Sequence, residues 1–147
     1  LYEKDNTYRL LMVGQGELLE NVEQEIKKCK LDQVVSIHKM VPNDRMWELY
    51  RMAECYVNLN THEIFGMAIL EAMYYENVVV ALRAPGPELI IENESIGYLC
   101  EDEESLIQRV LTADKNVLGK YAHKSIEECF LWKKSAEKMD EIIQKYR

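Results

Sequence analysis

The chain has 147 residues, which by length is one domain with a substantial hydrophobic core. Its composition, 48% hydrophobic and 30% charged, is that of a soluble globular protein, and no apolar run approaches the roughly 20 residues of a membrane helix. The formal net charge of −8 argues against nucleic acid as a partner, because a phosphate backbone is bound by clustered Lys and Arg.

The cysteines indicate the redox compartment of the protein, and the first residue indicates whether the sequence is a whole protein. The four cysteines lie far apart, with no C-x-x-C pair and no histidine at metal-ligand spacing, so we expect reduced thiols in a cytosolic protein and no metal site. Leu1 is not an initiator methionine and no signal peptide follows it. We therefore expect a piece of a longer chain.

The first half of the sequence alternates between strand and helix patterns. Apolar residues 9–13 predict a strand, Gly14-Gln15-Gly16 a turn, and the spacing of apolar residues over 17–30 a helix. Residues 34–37 predict a second strand, and a turn at 42–44 leads to a short amphipathic helix over 46–53.

The second half continues the alternation and then becomes helical. Strands are predicted over 55–59, 78–82 and 96–100, a helix over 66–76, and a turn of helix over 88–92. Helices over 103–113 and from 121 to the C-terminus form a tail. Short connections between alternating elements predict an α/β fold with a Rossmann-like, doubly wound parallel sheet that binds ligands at the carboxyl ends of its strands.

Residues 62–71, His-Glu-Ile-Phe-Gly-Met-Ala-Ile-Leu-Glu, carry the best functional clue. If a helix begins near Gly66, Glu63 precedes its N-terminus and Glu71 lies about one and a half turns inside it, with the free amides of residues 65–68 between the two carboxylates. This layout fits a ligand with phosphate in the middle and hydroxyl groups at both ends, such as a nucleotide-sugar. The competing interpretation is that Glu71 is a solvated helix residue and Glu63 a favourable charge near a helix end.

Two further features allow more than one interpretation. The Gly14-x-Gly16 turn resembles a dinucleotide fingerprint, but Leu19 occupies the place of the third small residue, which disfavours a nicotinamide or flavin cofactor. The two glycines form either a tight turn or a place where a ligand approaches the backbone. His62 either contacts a hydroxyl or phosphate group or is structural.

Seven segments, taken together, resemble the C-terminal, donor-binding domain of retaining GT-B-fold glycosyltransferases, the group 1 family with an E-x7-E pair. They cover residues 11–17, 41–42, 49–53, 63–66, 70–73, 87–91 and 97–99, in the order that the family has. Each segment is weak evidence by itself. The E-x7-E pair with its internal Phe-Gly, the preceding V-G-x-G and the following P-E are collectively specific.

The resemblance implies roles for individual residues. Glu63 would hold hydroxyls of the donor sugar and is the expected catalytic residue, and Glu71 would hold the ribose diol. Gly14 and Gly16 would lie along the donor cleft, and Met40 and Val41 near the base. The amides of Phe65, Gly66 and Met67 would lie near the diphosphate, and His62 would be a further donor contact. No metal or other cofactor is expected.

The chain departs from the family pattern at several positions. Ile64 replaces the usual glycine after the first Glu, which is expected to reshape or narrow the sugar pocket, since a β-branched residue does not readily adopt glycine-only backbone angles. Glu76 and Val78 replace a Gly and a Pro. The family's first strand of this domain would precede Leu1, and in the order 3-2-1-4-5-6 that strand is central, so we expect a gap or a rearranged sheet and possible self-association through uncovered edges.

The leading hypothesis is that the full-length protein transfers a sugar from a nucleotide-sugar to a glycan, lipid or small acceptor, with retention, as in polysaccharide biosynthesis. This chain would supply most of the donor half, and an acceptor domain would precede it. The alternative is a degenerate module that stabilises or regulates an active partner subunit. A redox domain is a weaker third hypothesis because of Leu19. The expected location is the cytoplasm, or the inner face of the membrane through the rest of the chain.

Overall fold

A computed structural model describes residues 1–146 as an α/β structure of two compact units. The N-terminal unit is Leu1–Met46, and the C-terminal unit begins at Trp47. All strand pairing in the described residues is parallel, as the alternation of strands and helices predicts. The prediction that the whole chain is a single domain of a longer protein stays a prediction.

The N-terminal unit is one strand-helix-strand motif. Strand β1 (Leu10–Val13) pairs in parallel with β2 (Val35–His38), and helix α1 (Leu19–Lys28) connects them. A 3-10 turn follows at Asn43–Arg45. Three of the four residues of β1 are exposed and α1 has no buried residue, so this unit has little hydrophobic core of its own.

The C-terminal unit has a three-stranded parallel sheet with a buried centre. Strand β4 (Val78–Leu82) lies between β3 (Cys55–Asn58) and β5 (Tyr98–Cys100). All five residues of β4 are buried, as expected for a run of Val, Ala and Leu in the middle of a parallel sheet.

Six further helices complete the described fold. They are α2 (Met46–Met52), α3 (Met67–Tyr74), α4 (Pro85–Ile90), α5 (Glu103–Thr112), α6 (Lys115–Cys129) and α7 (Trp132–Lys145). Helices α3, α5 and α6 pack against β4, and α3 also packs against α4 and α6. Within residues 1–146, every helix is too short or too polar to span a membrane.

Helix boundaries in the second half differ most from the prediction in two places. The expected single helix from residue 121 is two helices, because α6 already begins at Lys115, where the Asp114 carboxylate accepts a hydrogen bond from the Asn116 amide, and because Leu131 is extended between α6 and α7. The turn of helix predicted over 88–92 lies at Pro85–Ile90. Its early start is physically reasonable, since proline fits the first turn of a helix.

The strands form two separate sheets, β1-β2 and β3-β4-β5, instead of one. The family resemblance led us to expect a gap or a rearranged sheet, and the described strands are divided between two sheets. The expected parallel α/β class is therefore confirmed.

Candidate functional site

The predicted helix between the two carboxylates is α3, and Gly66 immediately precedes it. Gly66 has a φ of +77°, and a Cβ atom at this position would lie 3.0 Å from Cδ1 of Ile90. Both the backbone angle and the close approach of α4 therefore require glycine. The start of the helix is as predicted, and its end at Tyr74 is two residues earlier.

Glu63 is held against the start of α3 by the backbone. Its Oε1 atom accepts hydrogen bonds from the amides of Gly66 at 3.0 Å and of Phe65 at 3.3 Å. The other oxygen, Oε2, lies 3.5 Å from Nδ2 of Asn60. The carboxylate is therefore oriented before any ligand binds, and Oε2 retains lone pairs for further donors.

The loop that carries Glu63 rests on α4. The amide of Gly86 donates a 2.8 Å hydrogen bond to the carbonyl oxygen of Glu63. A Cβ atom on Gly86 would lie 2.9 Å from both the backbone N and C atoms of Phe65. The proline-glycine-proline start of α4 thus fixes the loop through backbone contacts that no larger residue permits.

The amides between the carboxylates divide into two pairs. Those of Phe65 and Gly66 bind Glu63, whereas those of Met67 and Ala68 have no hydrogen-bond acceptor within residues 1–146. A helix N-terminus with free amides attracts negative charge. Met67 and Ala68 are therefore the amides available to a phosphate group.

Ile64 adopts an ordinary backbone conformation. In the part of the chain that the structure describes, the only residues other than glycine with positive φ are Lys30 and Glu76. The strain expected from a β-branched residue at this position does not occur. Instead, the Ile64 side chain is 74% exposed, and the neighbouring Phe65 and Met67 side chains are also exposed, so the site has an apolar rim.

Glu71 is exposed on the face of α3 opposite its buried residues, as helical geometry predicts, and is nevertheless held in place. Its Oε2 atom accepts a 2.9 Å hydrogen bond from the hydroxyl of Tyr50, a buried residue of α2. Burial is the main cause of a pKa of Tyr50 well above its usual range, and the hydrogen bond and negative charge of Glu71 raise that pKa further. The phenol therefore stays protonated and can donate a hydrogen bond.

Tyr56 of β3 is electrostatically coupled to both carboxylates. Burial is the main cause of its raised pKa, and the negative charges of Glu63 and Glu71 raise that pKa further. The charges of both predicted carboxylates therefore act on the same tyrosine hydroxyl. The sequence alone did not predict the roles of Tyr50 and Tyr56, although both residues lie in segments predicted as α2 and β3.

His62 lies in the exposed turn before Glu63. Its amide donates to Oδ1 of Asn60 at 3.0 Å, and its ring Nδ1 lies 3.2 Å from the hydroxyl of Thr61. Asn60 thus contacts both His62 and Glu63 and shapes this turn, a role that the sequence analysis did not assign.

The other predicted donor residues belong to the N-terminal unit. Gly14 has a φ of +147° and donates its amide to the carbonyl oxygen of His38, and no atom would lie within 4 Å of a Cβ on Gly14 or Gly16. The turn lines an open cavity of about 190 Å³ together with β1, the start of α1 and Ile37. Met40 is exposed and Val41 is half-buried.

Lys39 and Arg83, the basic residues that directly follow β2 and β4, are engaged in ion pairs. Lys39 pairs with Glu23 at 3.0 Å, and Arg83 pairs with both Glu88 and Glu101. Within residues 1–146 there is no group of three His, Cys, Asp or Glu side chains that could hold a metal ion.

Comparison with known proteins identifies the family. The profile described as Glycosyl transferases group 1 matches residues 1–132. The chain belongs to this family. The resemblance inferred from the seven segments is thus confirmed. The matched region ends at Trp132, the first residue of α7, so the rest of that helix lies outside it.

The relatives are considerably longer than this chain. The human Alpha-1,3/1,6-mannosyltransferase ALG2 is 34% identical over 92 residues, which are 58% of this chain and 22% of the relative. The N-acetyl-alpha-D-glucosaminyl L-malate synthase of Bacillus anthracis is 28% identical over 142 residues, which are 91% of this chain and 36% of that protein. The chain therefore spans about a fifth to a third of the length of these proteins.

The fold is similar to that of solved glycosyltransferases. A TarM variant of S. aureus, in complex with Fondaparinux, alpha-GlcNAc-glycerol and UDP, has a TM-score of 0.82 with 23% identity over 94% of this chain and 29% of TarM. At this level of identity the similarity establishes the fold alone.

Proposed function

We propose that the protein of which this chain is part transfers a sugar from a nucleotide-sugar to a glycan, lipid or small acceptor, with retention of anomeric configuration and without a required metal. In this proposal the C-terminal unit supplies the donor-binding carboxylates. Catalysis requires the rest of the protein, which would contribute the acceptor site, and we place the reaction in the cytoplasm or at the inner face of the membrane.

The observation that carries the proposal is the arrangement of Glu63 and Glu71 about the start of α3. The first carboxylate is oriented by two backbone amides, and the second by a buried tyrosine. Carboxylates fit the vicinal hydroxyls of sugars and ribose because they accept two hydrogen bonds at once. This preorganisation is what a site for a ligand with hydroxyls at both ends requires.

The free amides supply the third element of the proposed site. Met67 and Ala68 present unpaired N–H groups at the N-terminus of α3. In the proposed reaction they would stabilise the negative charge that develops on the departing nucleoside diphosphate. The glycine turn, Met40 and Val41 would complete the donor contacts, a role supported by the family resemblance. His62 would contact a hydroxyl or phosphate group.

The degenerate-module alternative loses its main argument in the structure. It relied on Ile64 in place of glycine and on Glu76 and Val78 in place of a Gly and a Pro, and Ile64 adopts an ordinary backbone conformation here. Glu76 does occupy a left-handed conformation in place of glycine, but it lies after α3, away from the start of the helix that carries the proposed donor site.

A turnover assay of the full-length protein tests the proposal. UDP-, GDP- and ADP-sugars would be offered with glycan, lipid and small acceptors, and nucleoside diphosphate release would be measured together with the anomeric configuration of the product. We expect release from one donor class, a retained product, and a loss of about a hundredfold in kcat/KM for Glu63→Ala.

Glu141→Ala, which removes an exposed carboxylate on α7, is the matched control and should leave turnover unchanged. Two results would contradict the proposal. One is no release from any donor, and the other is turnover that survives Glu63→Ala, as expected if an associated second glycosyltransferase is responsible.

A further inference from the structure

We infer that Tyr50 is a positioning residue for nucleotide binding, which acts through its hydrogen bond to Glu71. This inference depends on the proposed function, because it gives the second carboxylate a fixed orientation toward the ribose. The hydroxyl of Tyr50 donates to Oε2 of Glu71 at 2.9 Å.

The need for such a residue follows from the exposure of Glu71. An exposed glutamate on a helix samples several rotamers, and a ligand that fixes one of them must offset that lost side-chain entropy. The two carboxylates solve this problem differently, because Glu63, in the loop before α3, is oriented by backbone amides, and Glu71, within α3, by the phenol of Tyr50.

Tyr50 is suited to orient another group because it is itself fixed from several sides. It is only 6% exposed, and its ring lies parallel to that of Tyr75 with centroids 6.0 Å apart. A third ring, that of Tyr56, lies 6.2 Å away in a tilted orientation. The ring therefore has little freedom to rotate away from Glu71.

The backbone of Tyr50 is also tied to the sheet. The side-chain amide of Asn77, a buried residue directly before β4, donates to the Tyr50 carbonyl oxygen at 2.7 Å. The same amide group lies 3.3 Å from the carbonyl oxygens of Ala53 and Tyr75. Asn77 thus fixes the ends of α2 and α3 relative to the central strand. Because the backbone of Tyr50 is fixed in this way, its hydroxyl has a defined position from which to bind Glu71.

The hydroxyl of Tyr50 serves as a hydrogen-bond donor over the whole physiological pH range. Burial and the neighbouring Glu71 carboxylate raise the pKa of the phenol, so it keeps the proton that it donates to Glu71. One oxygen of Glu71 therefore has its orientation set by the protein, and the other remains available to a diol.

The test uses the full-length protein with Tyr50→Phe, Glu71→Ala, the double variant, and Tyr75→Phe as the matched control. Tyr50→Phe keeps the stacked ring and removes only the donor, while Tyr75→Phe removes a hydroxyl from the same aromatic cluster that makes no hydrogen bond to Glu71. Affinities for UDP, GDP and ADP are measured by calorimetry, and crystal structures of the wild type and of Tyr50→Phe give the order of the Glu71 carboxylate.

For the nucleotide that binds, we expect Tyr50→Phe to raise Kd about fivefold, the equivalent of one hydrogen bond. Tyr75→Phe should leave Kd unchanged, and Tyr50→Phe should have no further effect once Glu71 is alanine. The Glu71 carboxylate should be ordered in the wild type and spread over several rotamers in Tyr50→Phe.

Equal effects of Tyr50→Phe in the presence and absence of the Glu71 carboxylate would overturn the inference, as would an ordered Glu71 in the crystal structure of Tyr50→Phe. If no nucleotide binds the wild type, the proposed function fails. The crystallographic comparison then still decides whether Tyr50 orients Glu71.

Discussion

The two units differ in how firmly they hold their predicted site residues. In the C-terminal unit the central strand β4 is buried along its whole length, and Glu63 and Glu71 each have a specific hydrogen-bond partner. In the N-terminal unit β1 is mostly exposed, α1 buries no residue, and the glycine turn lies in open space. The preorganised part of the candidate site is therefore the carboxylate pair.

Cysteine reactivity offers the largest expected contrast between the units. Burial raises the pKa of the Cys55 thiol in β3 to about 12, whereas Cys29 in the N-terminal unit is exposed. Because the thiolate is the nucleophile, we expect Cys55 to be alkylated about a thousandfold more slowly than Cys29 at pH 8. Mass spectrometry after timed iodoacetamide treatment measures both rates.

In denaturant all four cysteines should react at similar rates, which provides the control. Equal rates for Cys29 and Cys55 in the native protein would show that β3 opens as readily as the N-terminal unit.

Replacement of one glycine in each unit by alanine tests how tightly the two units are packed. Gly86→Ala should cost about 2–3 kcal/mol of unfolding free energy, because its Cβ would lie 2.9 Å from backbone atoms of Phe65 and the loop would have to move. Gly16→Ala should change that free energy by about 0.5 kcal/mol or less, since no atom lies within 4 Å of its Cβ position. Urea unfolding followed by circular dichroism measures both.

A similar cost for the two glycine variants would contradict the contrast. So would a Gly86→Ala variant with unchanged stability, because the loop that carries Glu63 would then not rest firmly on α4.

Removal of an acidic side chain near a helix start gives the smallest expected effect. Glu63→Ala should lower the unfolding free energy by about 1 kcal/mol, because the amides of Phe65 and Gly66 lose a charged acceptor. Glu20→Ala, in the first turn of α1, should change that free energy by about 0.5 kcal/mol or less, since the Glu20 carboxylate forms no hydrogen bond within the described residues. Thermal and urea unfolding of both variants test this pair.

If Glu63→Ala is no more destabilising than Glu20→Ala, the capping of the loop by Glu63 does not persist in solution. The loss of turnover expected for Glu63→Ala would then have to come entirely from ligand contacts.

The elements that were predicted well are those whose signal is local. The apolar run of β4, the glycine turn after β1 and the helix that follows Gly66 are encoded by neighbouring residues, and the structure places all three as expected. Glu71 was likewise predicted to lie opposite the buried face of α3, because helical spacing alone fixes that position.

The features that were missed depend on contacts between residues far apart in sequence. Periodicity identifies Tyr50 only as a residue on the apolar face of α2, and gives no sign that its hydroxyl bonds Glu71, which lies 21 residues further along the chain. Pattern analysis also gives no information on the rotamer by which Glu63 binds two amides of its own loop. The break between α6 and α7 was missed because helical spacing of apolar residues continues across it.

Binding of a nucleotide-sugar donor at the start of α3, between Glu63 and Glu71, is best tested by calorimetric titration of the full-length protein and of Glu71→Ala with UDP, GDP, ADP and NAD. We expect saturable binding of one nucleoside diphosphate, about tenfold weaker binding by the variant, and no binding of NAD. Binding of NAD, or equal affinity of wild type and variant for the nucleoside diphosphate, would contradict it.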